Sequence, residues 1–167
     1  LNMGFLDSIN EILDHIPNEH KTLMFSATMP QEIARIAKRY MHSPVEIVIG
    51  TKNEGAANVN HIYYMVHARD KALALKRIAD DNPNIYAIVF CRTRVETQEI
   101  ADVLMHDGYN ADALHGDLSQ QQRDIVMKKF RDRVITILVA TDVAARGLDV
   151  DDLTHVINYG LPEDTAV

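Results

Sequence analysis

The chain has only one cysteine and no apolar run long enough to cross a membrane. These two features argue against a disulfide-stabilised protein and against a membrane protein. Cys91 cannot form a disulfide within the chain, and its apolar neighbours predict a buried, unreactive thiol. A membrane-spanning helix needs about 20 consecutive apolar residues, and the sequence has no such run. We therefore expect no membrane association and a cytoplasmic location.

Positive charge is also scarce. The chain carries 17 Lys and Arg residues against 24 Asp and Glu residues, which gives a net charge of −7. Proteins that coat nucleic acid through bulk electrostatics need clustered Lys and Arg side chains. Any contact with nucleic acid must therefore be local.

Several signatures of function are missing as well. No GxGxxG motif follows a predicted strand, which argues against a flavodoxin-like or dinucleotide-binding domain. His115 stands before Gly116, but no HxxxH or Cys/His pairing makes a metal site, so we expect the chain alone to bind no metal. Residues 1–5 lack an initiator Met and a signal peptide, so we expect a segment cut from a longer protein.

The apolar residues alternate between strand-like runs and helical spacing along the whole chain. Helices are predicted over residues 5–16, 33–40, 70–79, around 100–104, and over 120–131. Strands are predicted over residues 21–25, 45–49, 59–66, 85–90, 111–114, 134–140 and 155–159. Nearly continuous apolar strands that alternate with helices predict an α/β fold with a doubly wound parallel sheet.

The polar, glycine-containing stretch 51–58 is the best candidate for a linker, because it has no periodic apolar face. It would separate a remnant of one domain, residues 1–50, from a second domain, residues 59–167. The remnant carries two strands whose partners are absent. We therefore expect it to be poorly ordered, docked non-natively on the second domain, or paired with another copy of the chain.

Hydroxyl side chains stand where predicted strands give way to helices. Capping-box spacing pairs Thr28 with Gln31, Thr93 with Glu96 and Ser119 with Gln122, while Thr141 follows the strand that ends at Ala140. In a parallel sheet these turns share the carboxyl edge, where helix N-termini present N–H groups to anions. Each Ser or Thr alone is an ordinary helix cap. Their convergence is what predicts binding to a chain of phosphates.

Two further features bear on this edge. Arg123 lies three residues after Gln120, so both side chains share one helix face, although an exposed Arg is usually only solvated surface. The stretch 141–149 packs two acids, an Arg and a Gly into the turn after a buried strand. Loops at a sheet edge rarely need that much charge for stability.

The order of these motifs resembles one family. The chain contains Ser26-Ala27-Thr28, the run IVFCRT at 88–93, His115-Gly116-Asp117 with Gln120-x-x-Arg123, the run TDVAARGLD at 141–149, and Val156-Ile157-Asn158-Tyr159. This resembles the DEAD-box ATP-dependent RNA helicases from their motif III to just beyond motif V, over essentially the whole chain. The resemblance implies a RecA-like domain of the P-loop NTPase type, preceded by a remnant of a second one.

The resemblance also implies a role for each matching residue. Ser26, Ala27 and Thr28 would couple ATP hydrolysis to strand separation without performing the chemistry. The residues implied to hold the RNA backbone are Thr93, Gly116, Gln120, Arg123, Thr141 and Asp142. Gly147 and Asp149 would approach the ATP. Backbone contacts carry no base information, so binding to single-stranded or duplex RNA should be largely independent of sequence.

Three parts of the family's machinery do not occur in this chain. It contains no P-loop and no Asp-Glu-Ala-Asp box, and it ends before the segment that supplies the arginine finger. ATP with Mg²⁺ is therefore expected in the whole protein and not tightly bound to this chain. Gly160 also stands where the family often has Asp. The alternative is a non-enzymatic module that binds RNA or a regulatory protein.

Overall fold

The computed structural model describes residues 6–17, 20–26, 31–49, 59–145, 148 and 150–161. The chain divides near Ile62 into two compact units. The predicted linker, residues 51–58, lies outside the described residues. The predicted domain boundaries therefore stay a prediction.

The first unit contains two of the predicted helices, α1 (Leu6–Asp14) and α2 (Gln31–Tyr40). The hydroxyl of Tyr40 on α2 donates to Oδ1 of Asn10 on α1 over 2.7 Å. A helix satisfies its own backbone hydrogen bonds, so neither segment needs a sheet to adopt this structure.

Three predicted strands are wrong. Residues 21–25, 45–49 and 59–66 lie within the described part of the chain and form no strand. Most of their side chains are exposed to solvent: Phe25 is 91% exposed, Ile47 83% and Met65 91%. A β-strand needs a neighbour to pair its N–H and C=O groups. These apolar stretches have no such neighbour in the described chain.

The second unit alternates helices and strands as predicted. Its elements are a 3₁₀ turn (Ala68–Asp70), α3 (Lys71–Asp81), β1 (Ala87–Cys91), α4 (Arg94–His106), β2 (Ala111–Leu114), α5 (Gln120–Arg131), β3 (Ile137–Thr141), α6 (Asp142–Ala145) and β4 (His155–Asn158). The strands form one parallel sheet in the order β2-β3-β1-β4. The predicted α/β class is confirmed.

Alternating residues of the strands face two separate cores, so helices cover both faces of the sheet. One core joins Val89 of β1 and Val139 of β3 to apolar side chains of α3 and α4. The other joins Ile88 and Leu138, their neighbours in sequence, to Phe130 of α5 and to α6. This arrangement is the doubly wound sheet that the nearly continuous apolar strands predict.

Gly108 ends α4 and turns the chain back towards the sheet. Its φ of +89° lies in the left-handed region that side chains rarely adopt. The Gly108 N–H donates to the Met105 carbonyl, and the Tyr109 N–H donates to the Leu104 carbonyl. These bonds end the helix in the way a C-terminal glycine commonly does. The turn brings β2 into the sheet at Ala111.

Candidate functional site

Candidate residues lie at or just beyond the ends of three neighbouring strands, at the carboxyl edge of the sheet. β3 lies between β2 and β1, and Cys91 at the end of β1 is paired with Thr141 at the end of β3. Thr93 stands two residues beyond β1, and Gly116 two residues beyond β2. Since neighbouring strands lie about 4.8 Å apart, the three strand ends fall within about 10 Å of one another.

Thr93 caps α4 from the turn after β1. Its backbone is extended, and its Oγ1 accepts a hydrogen bond from the Glu96 N–H over 3.1 Å. The returning bond of the predicted capping box is shifted by one residue, because the Glu96 carboxylate accepts from the Arg92 N–H. Thr93 is exposed and its oxygen is an acceptor here. Its hydroxyl hydrogen can therefore be donated to a ligand oxygen.

Gly116 lies in the turn between β2 and α5 and is exposed. A Cβ at this position would meet Arg94 Cδ at 3.7 Å, which is ordinary contact. Packing within the described chain therefore does not require glycine there. The next helix begins with the predicted capping box, confirmed by the Gln122 N–H bond to Ser119 Oγ and the Ser119 N–H bond to Gln122 Oε1.

Arg123 and Thr141 meet at the same residue of α6. The Arg123 guanidinium is half-buried and donates to the Ala144 carbonyl over 3.1 Å. The Thr141 hydroxyl is buried and accepts from the Ala144 N–H over 3.4 Å. Arg123 is therefore not a freely solvated side chain. It ties α5 to the turn after β3, and a guanidinium has five N–H donors to share.

Gln120 and Asp142 are placed less favourably for binding an anion. The Gln120 side-chain amide donates to Asp124 on its own helix over 2.8 Å. Asp142 is the first residue of α6, where a carboxylate stabilises the positive end of a helix. Both have a local structural role, and their contact with RNA stays a prediction.

Some predicted site residues lie outside the described part of the chain. These are Ala27 and Thr28 of the coupling motif and Gly147 and Asp149 of the predicted ATP contact. Ser26 is described and is exposed in the first unit. The roles of all five residues stay predictions.

Lys71 lies at the start of α3, and no motif in the sequence indicates a role for it. Its ammonium donates to the Tyr159 carbonyl over 2.8 Å and lies 5.1 Å from the centre of the Tyr159 ring. Burial raises the pKa of the Tyr159 phenol, and the nearby Glu96 carboxylate raises it further. A lysine at a helix start has no distinguishing motif, so only the fold reveals this contact.

Cys91 and Gly160 complete the description of this edge. Burial raises the pKa of the Cys91 thiol to about 12, with a further contribution from Glu96, and the predicted burial of this thiol is confirmed. A Cβ at Gly160 would lie 2.7 Å from Arg92 Cγ. The stem of Arg92 therefore occupies the space that a side chain at position 160 would need.

Within the described ranges, no group of three or more His, Cys, Asp or Glu side chains is arranged to hold a metal ion. Across those same residues, no helix has the length and apolar character needed to span a bilayer.

Comparison with known proteins identifies the family. Residues 70–167 match the helicase conserved C-terminal domain. The chain is 46% identical over 164 residues to the DEAD-box ATP-dependent RNA helicase CshA of Bacillus subtilis and 47% identical to that of Geobacillus kaustophilus. Each alignment covers 98% of this chain, but the chain spans only about a third of these relatives, 33% and 35% of their lengths.

Solved structures agree with this assignment. A DEAD box protein from Methanococcus jannaschii matches 98% of this chain and 44% of its own, with 43% identity and a TM-score of 0.62. Dbp5 of S. cerevisiae bound to RNA and ADP BeF3 matches 96% of this chain and 41% of its own, with 25% identity and a TM-score of 0.84. The chain belongs to the DEAD-box helicase family, and its residues 70–167 form the helicase conserved C-terminal domain.

Proposed function

We propose that this chain supplies the RNA-gripping part of an ATP-dependent RNA helicase that unwinds RNA duplexes locally. The observation that carries the proposal is the meeting of Arg123 and Thr141 at Ala144, one strand away from the Thr93 turn. This sheet edge carries hydroxyls, backbone N–H groups and a guanidinium. These groups donate hydrogen bonds, and the oxygens of a sugar-phosphate backbone accept them. The likeness to an RNA-bound DEAD-box protein supports it.

The proposed grip depends on geometry more than on total charge. The net charge of −7 opposes general attraction to RNA, so the donors have to meet phosphates one at a time. Thr93 donates its hydroxyl from the cap of α4, while the exposed Gly116 lets a phosphate approach the backbone closely. One N–H of the Arg123 guanidinium bonds to the Ala144 carbonyl, and its other N–H groups can donate to a phosphate. None of these groups reads a base, so binding should be independent of sequence.

Substituting Arg123 tests this grip. Arg123→Ala should weaken binding of single-stranded RNA to a similar extent for different sequences. It should also reduce the slope of log K against log salt by about 0.7, the value for one phosphate contact on a single strand. Binding to short polyuridine and polyadenosine RNAs should be measured across a salt series.

Lys128→Ala is the matched control, because Lys128 is an exposed cation near the other end of α5. It changes the net charge equally and should leave the slope unchanged. Arg123→Lys keeps the charge but loses the planar donor set, so it should recover the slope only in part. If Arg123→Ala had the same slope as the wild type, Arg123 would not contact an RNA phosphate.

Hydrolysis of ATP separates the proposal from its alternative, a non-enzymatic binding module. The 167-residue chain should not hydrolyse ATP with or without RNA, because its sequence contains neither a P-loop nor an Asp-Glu-Ala-Asp box. The whole protein should hydrolyse ATP when RNA is present. Phosphate release should be measured for both. An inactive whole protein would favour the binding module, and turnover by the chain alone would contradict the proposal.

A further inference from the structure

The start of α4 contacts the turn between β2 and α5 at two points. Near the helix N-terminus, the Arg94 guanidinium forms an ion pair with the Asp117 carboxylate. One turn further along, Gln98 Oε1 lies 2.9 Å from Nε2 of His115. The first turn of α4 carries Thr93 as its cap, and the contacted turn carries Gly116. These contacts therefore connect two of the proposed RNA-binding turns.

The hydrogen bonds around His115 define which ring nitrogen carries the proton. The Asp117 backbone N–H lies 3.3 Å from His115 Nδ1, and a backbone N–H can only donate. Nδ1 is therefore unprotonated, and in a neutral ring Nε2 carries the hydrogen and donates to Gln98 Oε1. The amide nitrogen of Gln98 donates in turn to Asp102 Oδ1 over 2.8 Å. Every donor in this chain of bonds faces an acceptor.

The two contacts differ in strength. Arg94 and Asp117 are mostly exposed, with 61% and 58% of their side chains accessible, and an exposed ion pair contributes little. His115 is only 6% exposed, so loss of its partner would leave a buried polar group unsatisfied. The path from Gln98 through His115 to the Asp117 N–H is therefore the more important restraint on the turn.

We infer that Gln98 and His115 are positioning residues, which hold the Gly116–Asp117 turn in register with the Thr93 turn so that one RNA backbone can contact both. This inference rests on the proposed RNA-binding function. Neither residue needs to touch RNA. Gln98 acts through His115, and His115 acts through the Asp117 N–H, next to the Gly116 backbone.

The test uses the whole 167-residue chain with three substitutions on α4. Gln98→Ala removes the acceptor for His115 and suits a helix, so the variant should fold. It should weaken polyuridine binding about 3- to 10-fold, the effect of losing one or two hydrogen bonds. Exchange of the Asp117 amide hydrogen should accelerate by a similar factor. Gln98→Glu keeps an acceptor oxygen for His115 but loses the donor to Asp102, so it should restore both only in part.

Glu99→Ala is the control, since Glu99 is the exposed neighbour of Gln98 on the same helix. It should change neither the RNA affinity nor the exchange of the Asp117 amide. Nitrogen-15 spectra of the imidazole provide a readout that does not depend on RNA. In the wild type they should show an unprotonated Nδ1 and a protonated Nε2 on His115.

The outcomes separate the inference from the proposed function. Wild-type affinity and wild-type Asp117 exchange in Gln98→Ala would overturn the inference, and so would a protonated Nδ1 on His115. If the wild-type chain bound no RNA, the proposed function would fail. Amide exchange in the same samples would still decide whether Gln98 holds the turn.

Discussion

Residues 45–49 and β3 (Ile137–Thr141) are both short apolar runs rich in β-branched side chains, but only β3 is a strand. Every residue of β3 is buried, with β1 on one side and β2 on the other. In the other run, Val45 is 86% exposed and Ile49 96%. An apolar run is therefore not sufficient for a strand. The neighbouring strands supply the backbone partners and the covered faces.

Helices form on both sides of this comparison. The helices α1 and α2 appear in the first unit as predicted. Helical hydrogen bonds close within four residues, whereas strand bonds join distant parts of the chain. Local sequence is thus a better guide to helices than to strands.

The largest expected difference between the two regions concerns truncation of an apolar side chain. Leu138→Ala in β3 should lower the free energy of unfolding by about 2–5 kcal/mol, because it empties a fully buried position. Val45→Ala should change it by less than about 0.5 kcal/mol, since Val45 already lies in solvent. Urea unfolding followed by far-ultraviolet circular dichroism would measure both.

Equal losses in the two variants would contradict the comparison, because residues 45–49 would then have to be packed in solution. Amide exchange adds a second measurement on the same samples. Amides of β3 should be strongly protected, and those of residues 45–49 should exchange quickly.

A smaller difference is expected for two serines. Ser119 caps α5 through a complete capping box, so Ser119→Ala should cost about 1 kcal/mol. Ser8 is an exposed residue within α1, and alanine has the higher helix propensity, so Ser8→Ala should favour helix by a few tenths of a kcal/mol. Thermal unfolding should therefore shift in opposite directions. A gain for Ser119→Ala would mean that the cap does not hold α5 in solution.

The smallest effect concerns an exposed ion pair between α3 and α4. Hydrogen bonds from Lys76, and then from His106, lower the pKa of the Asp107 carboxyl from its ordinary value of 3.8. A carboxyl whose pKa is lower in the folded state stabilises the fold above its unfolded pKa. That contribution disappears as the pH falls through the folded value.

Asp107→Asn should therefore be slightly less stable than the wild type at neutral pH and equal to it in strong acid. Urea unfolding at neutral pH and well below pH 3.8 would measure the difference. High salt should reduce it, because both partners are near the surface. If the difference in stability between Asp107→Asn and the wild type increased on acidification, the ion pair would not stabilise the fold in the way we describe.

Much of the second unit follows from local signals in the sequence. The bounds of β2 and α5 were predicted to the residue, because Gly108 and the Ser119–Gln122 capping box mark the turns around them. β1 and β3 differ from the prediction by one to three residues at each end, and β4 differs by one residue at its last position. Strand ends depend on where the neighbouring strand stops, and the sequence of one strand does not contain that information.

The sequence by itself determined the family, the α/β class, the helices α1 to α5 and the residues that could meet at the carboxyl edge. Those features depend on local periodicity, capping spacing and motif order. Only the tertiary structure decided that Arg123 and Thr141 both bond to Ala144, and that His115 accepts from the Asp117 N–H and bonds to Gln98 through its other ring nitrogen. It also decided which apolar runs became strands. Each of these outcomes needs a partner distant in sequence, and packing of the sheet and its helices brings that partner within hydrogen-bonding distance.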